Sequence, residues 1–362
     1  MIYVPIIKNR TAEIRALKIC ADFLCEEIIP YFEIINDQYK PRHEVDSKGE
    51  KVYELKPGNK KKTPKKAQPL PEDICTLEKI NEAVVGNRCF IEYFRYSEDD
   101  YPDSKINLKK VELARELSND YAKYVEKIID VCRFEKFIPV ISIKKSFAIS
   151  NYDLKELVDN IRKKGNALGV RVQIDLLDDY MDFLEQELNE ADFLFVDIGE
   201  KPYVAQEFLL QDIADYSINA TCILINSPRH KKDVKREYQI DGWEPLINNI
   251  VAIKYADCGF DGFGDYAGLK DNLPEDIPVQ SYTLALIYEA KENKFWSIRS
   301  QIIGDAMEVK KIALLHASEF DPDGDCYAYK EINRIDIGNQ ANWNTITVVR
   351  YIDQMSKRLH LR

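Results

Sequence analysis

Charged side chains stand where many of the short apolar runs of this sequence end. Carboxylates gathered in a partly dry site raise one another's pKa, and interleaved lysines lower it, so acid and base roles could separate. The same carboxylates could hold a hard divalent cation such as Mg²⁺ against a phosphate group. The pattern therefore predicts acid–base or metal-assisted chemistry on a phosphate-bearing ligand, if the fold brings these side chains together.

We assign catalytic roles to carboxylates, and ligand-binding roles to cations, a serine and a glycine-rich stretch. The catalytic candidates are Glu33, Glu92, Asp175 and Asp197. The ligand-binding candidates are Lys8, Lys144, Ser227, Lys254, Gly262, Gly264, Asp265 and Tyr266. The stretch at residues 259–268, GFDGFGDYAG, is predicted to be a phosphate-holding loop with Asp265 on a lid.

Both assignments have structural alternatives. The charged side chains could pair with one another across the interior as a plug, or cap the strands in solvent. The glycine-rich stretch could be a tight connection that leads into the next part of the chain.

The stretch from residue 170 to residue 197 predicts how such side chains are positioned. It reads as one βαβ unit with parallel strands. Val170 and Val172 point to one side, and Arg171 and Gln173 to the other, because strand side chains alternate. An open sheet with helices on both faces would be apolar on both. The alternation therefore favours a closed barrel, whose lumen can take polar side chains.

The rest of the chain repeats this alternation of apolar runs and amphipathic segments. Further strands are predicted at residues 3–7, 28–35, 89–93, 137–143, 221–226 and 250–255. Helices are predicted between them, among others at residues 108–131, 154–168 and 234–248. The sequence thus predicts an α/β fold, a TIM-like (β/α)8 barrel over residues 1–275 whose strand ends meet at one mouth. Residues 276–362 predict an α+β C-terminal appendage, with a hairpin of strands at 282–290 and 294–302.

Residues 37–71 interrupt the alternation with the run KPGNKKKTPKK. Its lysines are Lys56, Lys60, Lys61, Lys62, Lys65 and Lys66. Such a segment buries too little apolar surface to fold alone, so a long exposed loop is predicted. It could contact nucleic acid or an acidic partner, although most such runs are only solvated.

Composition narrows the class of protein. The net charge of −11 argues against a protein that coats nucleic acid. Eight cysteines without a CxxC pair indicate a reducing compartment. Neither a signal peptide nor an apolar run of membrane-spanning length is evident, so we expect a cytoplasmic protein that does not bind membranes.

Three segments together resemble the beta family of proteins, which are carried by prophages, satellite phages and bacterial defence islands. The segments are YVPIIKNRTAEIRAL at residues 3–17, IIPYFEI at 28–34 and GFGDYAG at 262–268. The resemblance implies that Lys8, Glu13, Glu33 and residues 262–266 matter in this chain. It also implies a role in phage defence, or in the control of a toxic partner encoded nearby.

Two features depart from the family pattern. The lysine-rich segment after Glu33 looks longer than is usual. Many relatives carry a histidine pair after the C-terminal tryptophan, whereas Arg350 and Tyr351 follow Trp343 here. Any role of those histidines is therefore in doubt for this chain.

The leading hypothesis is a cytoplasmic, phage-defence-associated barrel protein. Its mouth would bind, and in a further step hydrolyse, a phosphate-bearing ligand such as a nucleotide or a nucleic-acid end. The alternative is a non-catalytic module whose appendage or lysine loop restrains or assists a partner protein from the same defence cassette. A third option is a Schiff-base enzyme that uses a lysine of the mouth.

Overall fold

The computed structural model describes residues 1–55, 61–102, 105–213, 216–276, 281–335 and 339–360. Lys56 and Lys60 of the lysine run lie outside these residues. The strands are β1 (Ile2–Lys8), β2 (Tyr31–Ile34), β3 (Tyr53–Glu54), β4 (Thr63–Pro64), β5 (Cys89–Tyr93), β6 (Phe137–Ile143), β7 (Gly169–Gln173), β8 (Phe193–Asp197), β9 (Thr221–Ile225), β10 (Asp241–Trp243), β11 (Gly262–Asp265), β12 (Tyr282–Glu289) and β13 (Lys294–Ile303). The helices are α1 (Thr11–Ile19), α2 (Thr76–Val84), α3 (Glu112–Asn119), α4 (Tyr121–Val131), α5 (Asn151–Arg162), α6 (Leu177–Glu187), α7 (Tyr203–Ile213), α8 (Val251–Lys254), α9 (Ala306–Leu315), α10 (Ala317–Phe320), α11 (Tyr327–Arg334) and α12 (Gln340–His360).

Eight parallel strands of the described chain close into a barrel in the order β1-β11-β9-β8-β7-β6-β5-β2. The α/β barrel that the alternation predicted is therefore confirmed. Val170 and Val172 of β7 are fully buried outside the lumen, and Arg171 points into it, as the alternation requires. The carboxyl ends of all eight strands meet at one mouth, which is where TIM-type barrels carry their sites.

The eighth barrel strand is not the one predicted. Residues 250–255 form helix α8 and the start of a 3-10 turn, and the barrel is closed by β11, Gly262–Asp265. Glycine has low strand propensity, which hid this strand from the pattern. The reason for glycine is crowding: a Cβ at Gly262 would lie 2.2 Å from the Ile2 carbonyl oxygen, and one at Gly264 would lie 3.0 Å from that of Val4. These two glycines fit β11 against β1, so residues 262–265 form a strand and not the loop that was predicted for them.

Gly262→Ala is expected to destabilise the fold by about 1–3 kcal/mol or more, because its new methyl group overlaps backbone that cannot move without opening the barrel seam. Urea unfolding of the purified chain measures the effect. Gly242→Ala is the matched control, since a Cβ there meets only Gln239 at 3.9 Å. Equal stability of the two variants would contradict the crowding argument.

Two predicted helices are also wrong in detail. The segment 108–131 is divided into a 3-10 turn, α3 and α4, because the Asp120 side chain accepts the Lys123 backbone N–H and begins a new helix. Residues 234–248 contain a 3-10 turn and strand β10 in place of a helix. Strand β10 pairs with β13, so a partner distant in sequence sets its conformation.

The C-terminal part contains the predicted hairpin, β12 with β13, and its sheet has the order β10-β13-β12. Helix α12 packs on β12 and on α1 of the barrel. Trp343 of α12 is fully buried, and Thr345 donates a hydrogen bond to the Ala12 carbonyl. The division at residue 275 stays a prediction, and β10 lies before it.

The described part of segment 37–71 is more ordered than the predicted loop. Strands β3 and β4 pair as a short antiparallel ribbon, and Lys65 pairs with Glu44 at 2.7 Å. Among the described residues, no helix is both long enough and apolar enough to cross a membrane.

Candidate functional site

Aromatic rings fill the lumen beneath the mouth. Phe90 contacts Phe193 and Phe195 with ring centroids 4.8 and 4.9 Å apart, and Tyr31 contacts Phe195 at 5.3 Å. Gly169 makes room for this layer, since a Cβ there would lie 2.7 Å from the Phe195 ring. The lumen is therefore a packed floor, and polar groups sit on top of it.

Arg171 is the centre of the polar layer above that floor. Its guanidinium donates to Glu33 at 2.7 Å, to Glu92 at 2.9 Å and to Asp197 at 2.7 Å. The Tyr31 hydroxyl donates to Glu92 at 2.6 Å, and Tyr266 donates to Glu33 at 3.0 Å. Glu33 and Glu92 are neighbours in the β2–β5 register, which brings the two carboxylates close together. The Arg171 guanidinium contacts both and offsets the repulsion between them.

Lys8 extends the layer on the other side of Glu33. Its ammonium pairs with Glu33 at 2.6 Å and with Asp271 at 2.7 Å. Asp271 also accepts a 2.8 Å hydrogen bond from Tyr101 and pairs with Lys231 at 3.3 Å. The carboxylate of Glu13, which the family resemblance singled out, accepts the Lys8 backbone N–H at 2.6 Å.

The ion pairs of the layer shift the pKa values of Glu92, Asp271 and Arg171. Burial raises the pKa of Glu92, but Lys144 and Arg171 outweigh it and lower that pKa to about 2. Burial likewise raises the pKa of Asp271, and Lys8 and Lys231 bring it well below its usual range. Burial lowers the pKa of Arg171, and Asp197 and its other partners raise it further than burial lowers it. The layer therefore holds ionised carboxylates against protonated cations.

A cavity of about 500 Å³ opens above this layer. Its cations come from successive strands and connections: Lys144 and Lys145 after β6, Arg171 on β7, Lys201 after β8 and Lys231 after β9. Acidic side chains also line it, at Asp100, Asp175, Asp197, Glu200 and Asp271. Most of the cations face a carboxylate, but the Lys145 ammonium makes no ion pair with any described residue.

The arrangement suits the binding of an anion at the rim more than metal chemistry in the layer. The described residues contain no group of three or more His, Cys, Asp or Glu side chains placed to hold a metal ion. Glu33 and Glu92 have no exposed surface, and Arg171 occupies the space between them. The ammonium groups of Lys144, Lys145, Lys201 and Lys231 line the cavity above, where they could contact an anion.

Most of the predicted site residues do converge at the mouth. Lys144 pairs with Glu92 at 3.2 Å. Lys144, Asp197, Ser227 and Tyr266 line the cavity directly. Asp175 lies at its rim, in a 3-10 turn past the end of β7, where it pairs with Lys201. Its side chain is 63% exposed, so it does not belong to the buried carboxylate group.

Lys254, Gly262, Gly264 and Asp265 lie elsewhere. Lys254 is on helix α8 with its side chain exposed, and it pairs with Asp257 at 2.6 Å. The prediction that it lies at the mouth followed from the wrong eighth strand. Asp265 belongs to β11, not to a lid, and its side chain points outward to the tyrosines of β1 and α12.

Asp265 links the barrel to the C-terminal helix. Tyr3 donates to it at 3.1 Å, Tyr351 at 2.7 Å and the Ala267 N–H at 2.8 Å. Burial raises the pKa of Asp265 to about 6, although these hydrogen bonds act in the opposite sense. Tyr351 therefore holds this carboxyl group against helix α12.

Asp265→Asn is expected to gain stability relative to the wild type as the pH rises. Because this pKa is raised, the folded state favours the protonated Asp265. This preference stabilises the wild type fully below about pH 4, and the stabilisation is lost as the pH rises through 6. The difference amounts to about 3 kcal/mol between those limits. Urea unfolding at about pH 4 and pH 7.5 measures it, and the control is Asp182→Asn at an exposed position of α6. If the difference in unfolding free energy between Asp265→Asn and wild type were the same at both pH values, the pKa of Asp265 would not be raised in the folded chain.

Sequence reasoning missed several residues of the site. Arg171 was placed in the lumen by alternation but was not named as a candidate, because it stands inside the strand and not at its end. Asp271, Tyr101 and Lys231 lie in connections, where no periodicity marks them. Lys145 and Lys201 directly follow or lie close to predicted strand ends and could have been found by the same rule that selected Lys144.

The sequence of the chain matches a known protein family. The family model described as Beta protein matches residues 3–357. No curated protein matches the chain. Among solved structures, it is similar to D-psicose 3-epimerase from Clostridium cellulolyticum H10, whose crystal structures contain D-tagatose, with a TM-score of 0.36 and 10% identity over 73% of this chain and 84% of that one. The family match reaches all eight barrel strands and most of α12.

Proposed function

We propose that this chain, which belongs to the Beta protein family, binds a phosphate-bearing ligand in the mouth of its barrel. The ligand class is a nucleotide or the phosphorylated end of a nucleic acid. The observation that carries the proposal is the convergence of lysines and one arginine from four consecutive strand ends on one cavity of about 500 Å³. A cavity of this size fits a small ligand.

The buried layer supports binding by holding the cavity floor rigid. Lys8, Arg171 and their carboxylates are mutually neutralised, so they need no ligand to be stable. The rim differs, since Lys145 has no acidic partner among described residues and Lys201 pairs only with the exposed Asp175. A phosphate group can form charge-assisted hydrogen bonds with both ammonium groups.

Hydrolysis is the further step of the proposal, and it would use Asp197. Asp175 and Asp197 line the cavity, whereas Glu33 and Glu92 lie beneath it. Asp197 is held by Arg171 and by the Gly199 N–H at 2.8 Å, so its position is fixed. Phosphate release from a nucleoside triphosphate by the wild type and by Asp197→Asn tests this step separately from binding.

The binding experiment is calorimetric titration with ATP and with a 5′-phosphorylated oligonucleotide. The double variant Lys145→Gln, Lys201→Gln is expected to bind about ten-fold more weakly or worse, because each charge-assisted hydrogen bond contributes about 1.5–3 kcal/mol. The control is Lys163→Gln, Lys164→Gln, two exposed lysines after α5, at the opposite end of the barrel. Equal affinity of both double variants would refute binding at the mouth.

The phage-defence setting is proposed from the family, and it is tested with the same variants. We call Lys145→Gln, Lys201→Gln the rim variant. In a phage-plating assay, loss of protection by this variant in folded form, with protection kept by the control Lys163→Gln, Lys164→Gln, would link the mouth to defence. Full protection by the rim variant would separate the ligand site from any defence role.

A second candidate function, binding of an acidic partner protein, is favoured by the ribbon β3–β4 and its flanks. Val45, Tyr53 and Leu55 are exposed there by 60, 56 and 59%. They lie among the lysines at positions 48, 51, 61 and 62, which are exposed as well. Lys61→Glu with Lys62→Glu would abolish capture of a partner encoded in the same cassette and leave ligand binding at the mouth unchanged. Unchanged capture would exclude this surface.

A further inference from the structure

A second group of cations lies beside the mouth, where the barrel meets the C-terminal sheet. We define Arg229, Lys235 and Lys270 as the junction cluster. Arg229 and Lys235 belong to the connection after β9, and Lys270 belongs to the connection after β11. These connections follow the seventh and eighth strands of the barrel, a position at which TIM-type barrels often take phosphate.

The junction cluster is held by neutral oxygen atoms. Arg229 donates to the Gly268 carbonyl at 2.8 Å and to the Tyr238 hydroxyl at 3.0 Å. Lys235 donates to Gln340 at 2.8 Å and to Ser281 at 3.1 Å. Lys270 donates to the backbone carbonyls of residues 231 and 233 at 2.9 and 2.5 Å. Each side chain therefore keeps at least one N–H without a partner in the described chain.

No carboxylate of the described residues forms an ion pair with the junction cluster. This contrasts with the mouth, where Lys8 and Arg171 each contact two or more carboxylates. Asp233 and Glu275 lie near enough to act on the cluster electrostatically, but they do not pair with it. Arg229 is only 8% exposed, and a buried guanidinium without an anionic partner is costly.

The electrostatics agree with cations that repel one another. Burial and then Arg229 lower the pKa of Lys235 to about 8. Burial and Arg229 also lower the pKa of Lys270. Lys270 in turn lowers the pKa of Lys235. Arg229 contacts the carbonyl of Gly268, two residues before Lys270, and Lys270 contacts the carbonyl of Asp233, two residues before Lys235, so the three side chains lie in one region. An anion placed among them would relieve this repulsion.

We infer that the junction cluster is a second anion site, distinct from the mouth, which binds a phosphate group through Arg229, Lys235 and Lys270. The ligand chemistry is a compact oxyanion with two negative charges, either free phosphate or the terminal phosphate of a larger molecule. Its geometry joins three parts of the chain: the connection after β9, the connection after β11, and, through Gln340, helix α12.

The site would also couple to the mouth through one connection. The residues after β9 present Lys231 to the cavity and Lys235 to the junction cluster. Lys270 donates to the carbonyl of Lys231, which bears the ammonium that pairs with Asp271. Phosphate at the junction cluster therefore fixes the connection that forms one wall of the mouth.

The test is calorimetric titration of the full chain with inorganic phosphate. Lys235→Gln with Lys270→Gln is expected to weaken phosphate binding at this site about ten-fold or more, because two charge-assisted contacts are lost. The rim variant Lys145→Gln, Lys201→Gln is expected to keep it. Phosphate binding that is unchanged in the junction variant overturns the inference, whichever way the rim variant behaves.

A parallel titration with a 5′-phosphorylated oligonucleotide and its unphosphorylated form distinguishes the two sources of phosphate. Binding of the phosphorylated oligonucleotide that depends on the junction cluster identifies a terminal phosphate as ligand. Dependence with inorganic phosphate alone identifies the free ion.

Acetylation of the wild-type chain removes any reliance on a variant that fails to fold. Lys235 and Lys270 are expected to react several-fold more slowly with acetic anhydride in phosphate than in chloride of equal ionic strength, as measured by mass spectrometry. The exposed Lys163 is the internal control. Equal reaction rates of Lys235 and Lys270 in the two salts would overturn the inference without any mutation.

Discussion

Arg171→Met is expected to lower the free energy of unfolding by about 3–5 kcal/mol, the largest effect of any single substitution in the mouth. The guanidinium separates three carboxylates, those of Glu33, Glu92 and Asp197. Methionine matches its length but leaves these carboxylates facing one another in a layer that is almost free of solvent. Burial of charges that have lost their partner is the cause of the destabilisation.

Urea unfolding of wild type, Arg171→Met and a control measures the loss. The control is Arg15→Met, because Arg15 makes a single ion pair with Glu331 and its side chain is 50% exposed. Glu331 keeps its second partner Arg334, and a pair with one half-exposed member is expected to contribute about 0–1 kcal/mol. Similar losses in the two variants would show that the carboxylates do not depend on Arg171. Arg171→Lys is expected to fall between them, since an ammonium cannot contact three carboxylates with the planar geometry of a guanidinium.

Glu92→Gln is expected to remove a large part of the acid sensitivity of the fold. Lys144 and Arg171 outweigh burial and lower the pKa of Glu92 from 4.5 to about 2 in the folded chain. The ionised carboxylate therefore stabilises the fold above about pH 4.5, and this contribution is lost as the pH falls toward 2. A shift of this size corresponds to about 3 kcal/mol.

The measurement is urea unfolding at several pH values between 7 and 2.5. Glu92→Gln is expected to be less stable than wild type at pH 7, and the difference is expected to shrink as the pH falls below 4.5. Glu190→Gln, in an exposed turn, is the control and should follow the wild type throughout. A difference for Glu92→Gln that does not change with pH would mean that the carboxylate is not held ionised by Lys144 and Arg171.

The two expectations concern one neutral layer. Lys8, Lys144, Lys231 and Arg171 face the carboxylates of four acidic residues, namely Glu33, Glu92, Asp197 and Asp271. The sequence allowed two interpretations of these charges, a structural plug and a ligand site. The structure separates them by depth, because the paired charges lie below the cavity. The plug forms the floor, and we propose that the ligand binds in the cavity above it.

The sequence by itself determined the barrel and much of its mouth. Alternating apolar runs and helix-length segments are a local signal, and parallel strands leave few ways to close. Convergence could be predicted for Lys8, Glu33, Glu92, Lys144 and Asp197, because each lies within one residue of the end of an apolar strand and parallel strands end at one rim. The polar side of β7 can be predicted from the alternation of strand side chains alone, and Arg171 points into the lumen as the alternation predicts.

Only the tertiary structure decided which charges pair and which strand closes the barrel. Strand β11 has the composition of a loop, and its glycines are explained by the approach of β1, which comes from the other end of the barrel's chain. Lys8 meets Asp271 across 263 residues, and Asp265 meets Tyr351 across 86. Contacts at such separations depend on the register and depth of strands that are set by packing, and no local pattern in the chain encodes them.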